Sequence, residues 1–194
     1  MTFSDLPATA AWGHGNTRAG FEAVAFGRRR GGWVATGSTT AVEAGTPWWV
    51  AYEVELDAAF ATRRATVTAR VGGDVTASLQ VETDGRGRWS LDGTAAPELD
   101  GCLDIDLESS AMTNALPMRR ADLAVGETLS APAAYVRVKE LAVERLEQHY
   151  VRREDGDQGP IFRYHAPAFE FSCDISYDGT GLVLSYPGIA DRLV

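Results

Sequence analysis

Residues 98–108, Glu-Leu-Asp-Gly-Cys-Leu-Asp-Ile-Asp-Leu-Glu, hold the densest set of groups that could do chemistry. On a β-strand, Cys102, Asp104, Asp106 and Glu108 share one face and Leu103, Ile105 and Leu107 the other. Neighbouring carboxylates on that face have Cα atoms roughly 6.5–7 Å apart. That spacing suits a carboxylate pair for acid–base work or a site for a hard cation. A solvated outer face has the same pattern. Arg119 and Arg120 close the next segment, residues 110–120. In an extended chain they project to opposite faces, so one of them would pair with Asp104 or Asp106 or hold an anionic head group. Thr113 and Asn114 suit a turn, and Pro117 confines the stretch to an edge or an irregular connection.

Five Trp residues include Trp33, Trp48, Trp49 and Trp89. In a β-protein such side chains fill the core, or line an apolar pocket where a curled sheet has an open mouth. His14, His149 and His165 show no metal spacing. No CxxC, HExxH, GxSxG, P-loop or placed GxGxxG occurs, so neither metal nor cofactor is expected. Cys102 and Cys173 lie 71 positions apart and are expected to be reduced thiols.

These groups must be positioned by strands, because the dominant hydrophobic period is two. Residues 66–71 alternate, residues 72–74 turn, residues 75–82 alternate back and residues 88–91 follow the Asp84-Gly85 step. Asp-Gly recurs at Asp92, Asp100, Asp155 and Asp178, and such steps supply the positive φ of tight hairpins. Further strands are expected over residues 21–29, 33–40, 48–56, 102–107, 135–139, 161–165, 169–175 and 182–186. Residues 142–153 fit a helical stripe as well as an alternating strand, and are read as one long hairpin strand. The reading is all-β: one domain over residues 1–194, with an irregular extension over 1–19 and a large antiparallel sheet over 20–193. A sheet of this size curls or closes, because its twist accumulates and open edges are a liability. A homodimer through exposed edge strands is compatible with this layout.

The 194 residues (20.9 kDa) bury roughly 70% of their extended surface, enough for a core without staples. The net charge is -9, which excludes a nucleic-acid binder held by surplus cation and disfavours docking on an anionic membrane. All cations but Lys139 are Arg. Residues 1–97 carry -1 and residues 98–194 carry -8, so the acidity belongs to the second half. No cation precedes Arg18 and no apolar run reaches membrane length, so neither signal peptide nor transmembrane segment is read, and a cytoplasmic location is expected.

The order of motifs supports a family resemblance. Gly-Arg-Trp89-Ser-Leu-Asp-Gly93 precedes Leu-Asp-Gly-Cys-Leu-Asp-Ile-Asp-Leu107. Met-Thr-Asn-Ala-Leu-Pro-Met-Arg-Arg120 follows, and Gly-Leu-Val-Leu-Ser-Tyr-Pro-Gly188 stands near the end. The succession resembles the bacterial glycolipid-binding family over residues 20–193. The resemblance implies a wide, incompletely closed barrel, similar in shape to lipoprotein localisation factors and to a lipid-carrying mycobacterial-type lipoprotein. It carries over no catalytic residue. It implies a lipid or glycolipid ligand, with acyl chains in the concave face and a polar head met at the rim. The candidate contacts are Trp89, Asp104, Asp106, Asn114, Arg119 and Arg120. Related carriers are exported, whereas no signal is read here. Two other readings stay open: an interaction module without a small ligand, and a hydrolase using Asp104 and Asp106.

Overall fold

The computed structural model describes residues 3–15, 18–73, 77–137 and 140–194. Fourteen strands form one antiparallel sheet. Its first half contains β1 (Thr9–His14), β2 (Ala19–Arg29), β3 (Gly32–Glu43), β4 (Thr46–Asp57), β5 (Thr62–Val71), β6 (Ala77–Thr83), β7 (Trp89–Leu91) and β8 (Thr94–Ala95). Along the chain, β9 (Asp104–Leu107), a 3-10 turn at Met112–Asn114 and helix α1 (Ala115–Arg120) interrupt it, and β10 (Thr128–Ser130) returns to it. Next come β11 (Ala133–Val136), β12 (Val143–Leu146), β13 (His149–Arg152), β14 (Ile161–Ala166), β15 (Phe171–Tyr177), β16 (Val183–Tyr186) and β17 (Ala190–Arg192). The sheet runs β10-β13-β14-β15-β16-β17-β1-β2-β3-β4-β5-β6-β7-β8 and is not closed by hydrogen bonds, since β10 and β8 are its edges. The expected incompletely closed barrel is the observed architecture.

The alternation read from the sequence sets which side faces in. Trp48, Val50, Tyr52, Val54 and Leu56 of β4 are buried, as are Ala65, Val67 and Ala69 of β5, while Glu53, Glu55 and Thr66 point away. At the β7–β8 hairpin both Asp92 (φ 47°) and Gly93 (φ 79°) are left-handed, as a two-residue loop of this hand requires. Asp74, where the turn after Gly73 was expected, and the first residues of the strand expected from Val75 lie outside the described residues, as do Val138 and Lys139.

The concave side of this sheet is filled by the protein's own chain. Strands β12-β11-β9 form a separate small sheet, with β9 and β11 parallel across the α1 crossover. Ile105, Leu107, Ala134 and Val136 pack with the Trp, Val and Ala side chains of β2–β6. Tyr135 and Met118 pack with Tyr150, Phe162, Tyr164, Ile175, Tyr177 and Tyr186 of β13–β16. The volume expected to hold acyl chains is therefore occupied by side chains.

Three expectations are corrected. The stretch 1–19, expected to be irregular, contains β1 in the middle of the sheet. Its sequence of small residues has little intrinsic strand preference. Its place comes from pairing with β2 and β17 and from Trp12, fully buried with Nε1–H donating to the Val183 carbonyl at 2.7 Å. Residues 142–153 are two strands rather than one, β12 in the small sheet and β13 in the large sheet. Residues 112–120, expected to be a turn and an extended run, are helical. Pro117 falls in the first turn of α1, where its missing N–H has no helical acceptor to lose.

The filling is anchored to the wall by Glu22, fully buried on β2. Its Oε1 accepts from the Tyr52 hydroxyl at 2.5 Å and from the Ser110 hydroxyl. Its Oε2 accepts from the backbone N–H of Ala111 at 2.8 Å and of Met112 at 3.4 Å. Tyr52 reaches it by crossing Gly37, where a Cβ would lie 2.4 Å from the ring. Replacing Glu22 by Leu orphans up to four buried donors, each costing about 1–3 kcal/mol. Glu22→Leu is expected to lower unfolding free energy in urea by at least about 3 kcal/mol, and Tyr52→Phe by about 1 kcal/mol. A Glu22→Leu variant of unchanged stability would remove the anchor role.

Candidate functional site

An open cleft of about 320 Å³ lies between the small sheet and the inner faces of β14–β16. One side is aromatic. Tyr164, Phe171 and Tyr186 stand with ring centroids 5.7–6.3 Å apart and planes tilted by 52–74°, a tilted and edge-to-face cluster along that side of the cleft. Tyr135 of β11 and Phe169 of the 3-10 turn Pro167–Phe169 form a second pair, with centroids 5.5 Å apart. Phe169 and Ile189 line the cleft and are 42% and 40% exposed.

The polar lining comes from the segment that Glu22 anchors. Asp106 is 7% exposed. Its Oδ1 accepts from the Thr113 hydroxyl at 2.7 Å, and no cation pairs with it among the described residues. Burial pushes the Asp106 carboxyl up to about 6, against the pull of the Thr113 hydrogen bond and with a smaller push from Asp104. Ser110, whose hydroxyl donates to Glu22, also lines the cleft. Asn114 is fixed from behind, its Oδ1 accepting from the Tyr150 hydroxyl at 3.0 Å and its carbonyl from the Tyr177 hydroxyl at 3.4 Å. Burial first, and then the Asp106 charge, pushes the phenols of Tyr135 and Tyr164 up, so they stay protonated at neutral pH.

Two arginines line the cleft and both are engaged. Arg18 donates to the Glu108 carbonyl at 2.9 Å and to Glu108 Oε1 at 3.2 Å, and its Nε lies 3.6 Å from Glu43. Arg137 donates to Glu144 at 2.6 Å.

Of the six candidate contacts, the structure brings Asp106 and Asn114 to this cleft. Asp104 and Arg120 lie at a second, smaller cavity of about 140 Å³, lined also by Pro117 and Leu129. There they form a two-point ion pair, Nη1 to Oδ1 at 2.7 Å and Nη2 to Oδ2 at 2.6 Å, with Arg120 also donating to the Phe60 carbonyl at 3.2 Å. The expected pairing of one arginine with one of these aspartates is thus present, and it occupies both oxygens of Asp104. Arg119 does not oppose Arg120 across an extended chain. From α1 it donates to the carbonyls of Thr180 and of Ser4, the latter at 3.1 Å, and its guanidinium sits 4.3 Å from the Phe60 ring centroid. Trp89 is buried, with Nε1–H donating to the Cys102 carbonyl at 2.9 Å. Trp12, Trp33 and Trp48 are also core residues, and Trp49 is exposed. Both cysteines are free, and burial raises the Cys102 thiol to about 11. Among the described residues no three His, Cys, Asp or Glu side chains converge as a metal site. None of their helices is long and apolar enough to cross a membrane.

A family profile described as "Putative glycolipid-binding" matches residues 9–192. The chain belongs to that family. The fold is also similar to a crystal structure of a DUF1089 family protein from Pseudomonas aeruginosa, with TM-score 0.77 and 29% identity, covering 100% of this chain and 97% of that one. No curated protein matches the chain. The motifs of residues 87–120 that carried the resemblance span the β7–β8 edge of the large sheet and the segment from β9 to α1 that packs inside it. That run contains structural ties (Trp89, Asp104, Arg119, Arg120) as well as cleft residues (Asp106, Asn114).

Arg18, Tyr135, Tyr164, Phe169, Phe171 and Tyr186 escaped the sequence reading. Each is an ordinary member of an alternating strand or a turn, and only the pairing of distant strands converges them.

Two outcomes follow. Arg120→Ala leaves Asp104 buried without its counter-charge and is expected to cost about 3–5 kcal/mol in urea unfolding, with part of the loss recovered in Arg120→Ala/Asp104→Asn. An ionised Asp106 is disfavoured in the folded chain relative to the unfolded one. Its stability penalty therefore grows as pH rises from the ordinary carboxylate range through about 6 and is constant above that. Asp106→Asn, which keeps an acceptor for Thr113, is expected to stabilise the protein by up to about 3 kcal/mol at pH 7.5 and to be near neutral at pH 4. Equal effects at both pH values would contradict the assignment.

Proposed function

We propose that the protein is a non-enzymatic binder of an amphipathic ligand, a lipid or glycolipid, whose polar head sits in the cleft lined by Asp106 and Tyr186. The observation that carries this reading is the composition of the cleft. It is an open volume of small-molecule size with an aromatic side formed by five rings and polar groups that converge from the other side. The exposed side chains of Phe169 and Ile189 offer an apolar path away from the polar lining, which suits a ligand with one polar and one apolar end. The family description and the barrel architecture support the same reading. The acyl part would lie along this rim, because the barrel interior is filled.

A hydrolase using Asp104 and Asp106 is disfavoured, since Arg120 holds both oxygens of Asp104. The filled interior favours the alternative of an interaction module without a small ligand. Binding measurements separate the two. The expectation is that native mass spectrometry detects co-purified lipid, and that titration with detergent-free lyso-glycolipids and lysophospholipids is saturable for at least one class. Tyr186→Ala is expected to weaken that binding about tenfold, the loss of one aromatic wall. Absence of both co-purified lipid and saturable binding to every class tried would leave the module.

A further inference from the structure

The same cleft carries a more specific chemical preference. We infer that it is built for an organic cation, a quaternary or substituted ammonium group, with Asp106 as its counter-ion and the rings of Tyr135, Tyr164, Phe169, Phe171 and Tyr186 as its walls. This rests on the reading of the cleft as a ligand site, but does not require that the ligand be a lipid.

The charges decide the sign. Arg18 and Arg137 line the cleft, yet each is already engaged by carboxylates: Glu108 and Glu43 for Arg18, Glu144 for Arg137. An incoming phosphate or carboxylate would have to displace those partners and would meet Asp106. Asp106 is the reverse case. It is more than nine-tenths buried and lines the cleft. Its one hydrogen bond, from Thr113, engages Oδ1, and Oδ2 has no partner among the described residues. A carboxylate left in this state in a low-dielectric site is costly until a cation joins it.

The walls decide the kind of cation. A bare metal ion needs several converging anionic or carbonyl ligands, and among the described residues no three His, Cys, Asp or Glu side chains converge here, whereas five aromatic residues line the cleft with Asp106. The five rings that line the cleft carry π-electron density, and that density attracts a cation whose surface is itself apolar. An alkylated ammonium combines the positive charge with methyl or methylene groups that pack on the rings. A neutral molecule of the same shape would gain the packing but leave Asp106 without its counter-charge.

The probe is choline chloride, compared at fixed ionic strength and pH 7.5 with its neutral isostere 3,3-dimethylbutan-1-ol, and read by saturation-transfer NMR and calorimetry. Choline is expected to bind saturably and at least about tenfold more tightly than the isostere. Asp106→Asn is expected to bring the two probes within about twofold of each other. Tyr186→Leu, which leaves the carboxylate in place, is expected to weaken choline more than the isostere. Circular dichroism matching the parent protein qualifies each variant. Equal affinity for the two probes, no saturable choline binding, or preference for choline retained in folded Asp106→Asn would overturn the inference. Choline binding with no binding of a choline-headed lysolipid would sink the amphipathic-ligand reading and leave this one. Saturable glycolipid binding without discrimination between the probes would do the opposite.

Discussion

Glu22 is the constraint on which the interior depends. A barrel of fourteen strands has more concave surface than its own side chains can cover, so a second layer must be brought in and held. A buried carboxylate can do this only if its charge is met, and here four donors meet it: two hydroxyls and two consecutive backbone N–H groups. Two of those donors are on the main chain of the insert. The carboxylate therefore fixes the position of the chain at Ala111 and Met112, and not merely of one side chain. Everything after it, the 3-10 turn carrying Thr113 and Asn114 and then α1, starts from that fixed point. Arg120 at the end of α1 closes the segment back onto Asp104 of β9 and the Phe60 carbonyl of the wall.

Among the described residues three carboxylates are buried, Glu22, Asp104 and Asp106, and they differ in how their charge is met. Glu22 has four hydrogen bonds and Asp104 has a two-point guanidinium. Asp106 has one hydroxyl. Burial raises the pKa of all three; the hydrogen bonds of Glu22, the guanidinium at Asp104 and the Thr113 hydroxyl at Asp106 each oppose it. The first two are explained by what they hold together. Asp106 is not, because removing its charge would cost the fold nothing that Thr113 does not also offer an amide. A buried group that the fold would be better without is a mark of a site, and this one faces the cleft.

The long strands β2 to β5 were legible because each carries many alternations, and the error of one residue would turn a whole hydrophobic set outward. β1 was not legible, since Thr-Ala-Ala-Trp-Gly-His offers two buried positions and little β-branching, and its pairing is with strands from opposite ends of the chain. α1 was hidden by Pro117, which reads as a breaker unless the helix is known to start two residues earlier. The break between β12 and β13 was hidden because the alternation of Leu146, Gln148 and Tyr150 continues through it while the partner sheet changes. In residues 98–108 the shared face of the strand was legible and its environment was not. Period two says which residues point the same way, but not whether that side meets water, and in a layered barrel β9 has buried side chains on both faces.

That double burial also changes the meaning of the acidity. Of the five acids in residues 98–108, Glu98 and Asp100 are exposed, Asp104 and Asp106 are buried and Glu108 is half-buried with Arg18. The block is therefore no acidic surface to attract or repel partners at long range. Two of its charges are internal, and one of them is neutralised from α1. The spacing of two residues along β9 puts Asp104 within reach of the end of the helix and Asp106 beside its beginning, where Thr113 and the cleft are. One strand thus presents the same side chain twice, and the length of the helix packed over it decides which copy is held in an ion pair and which faces the cleft.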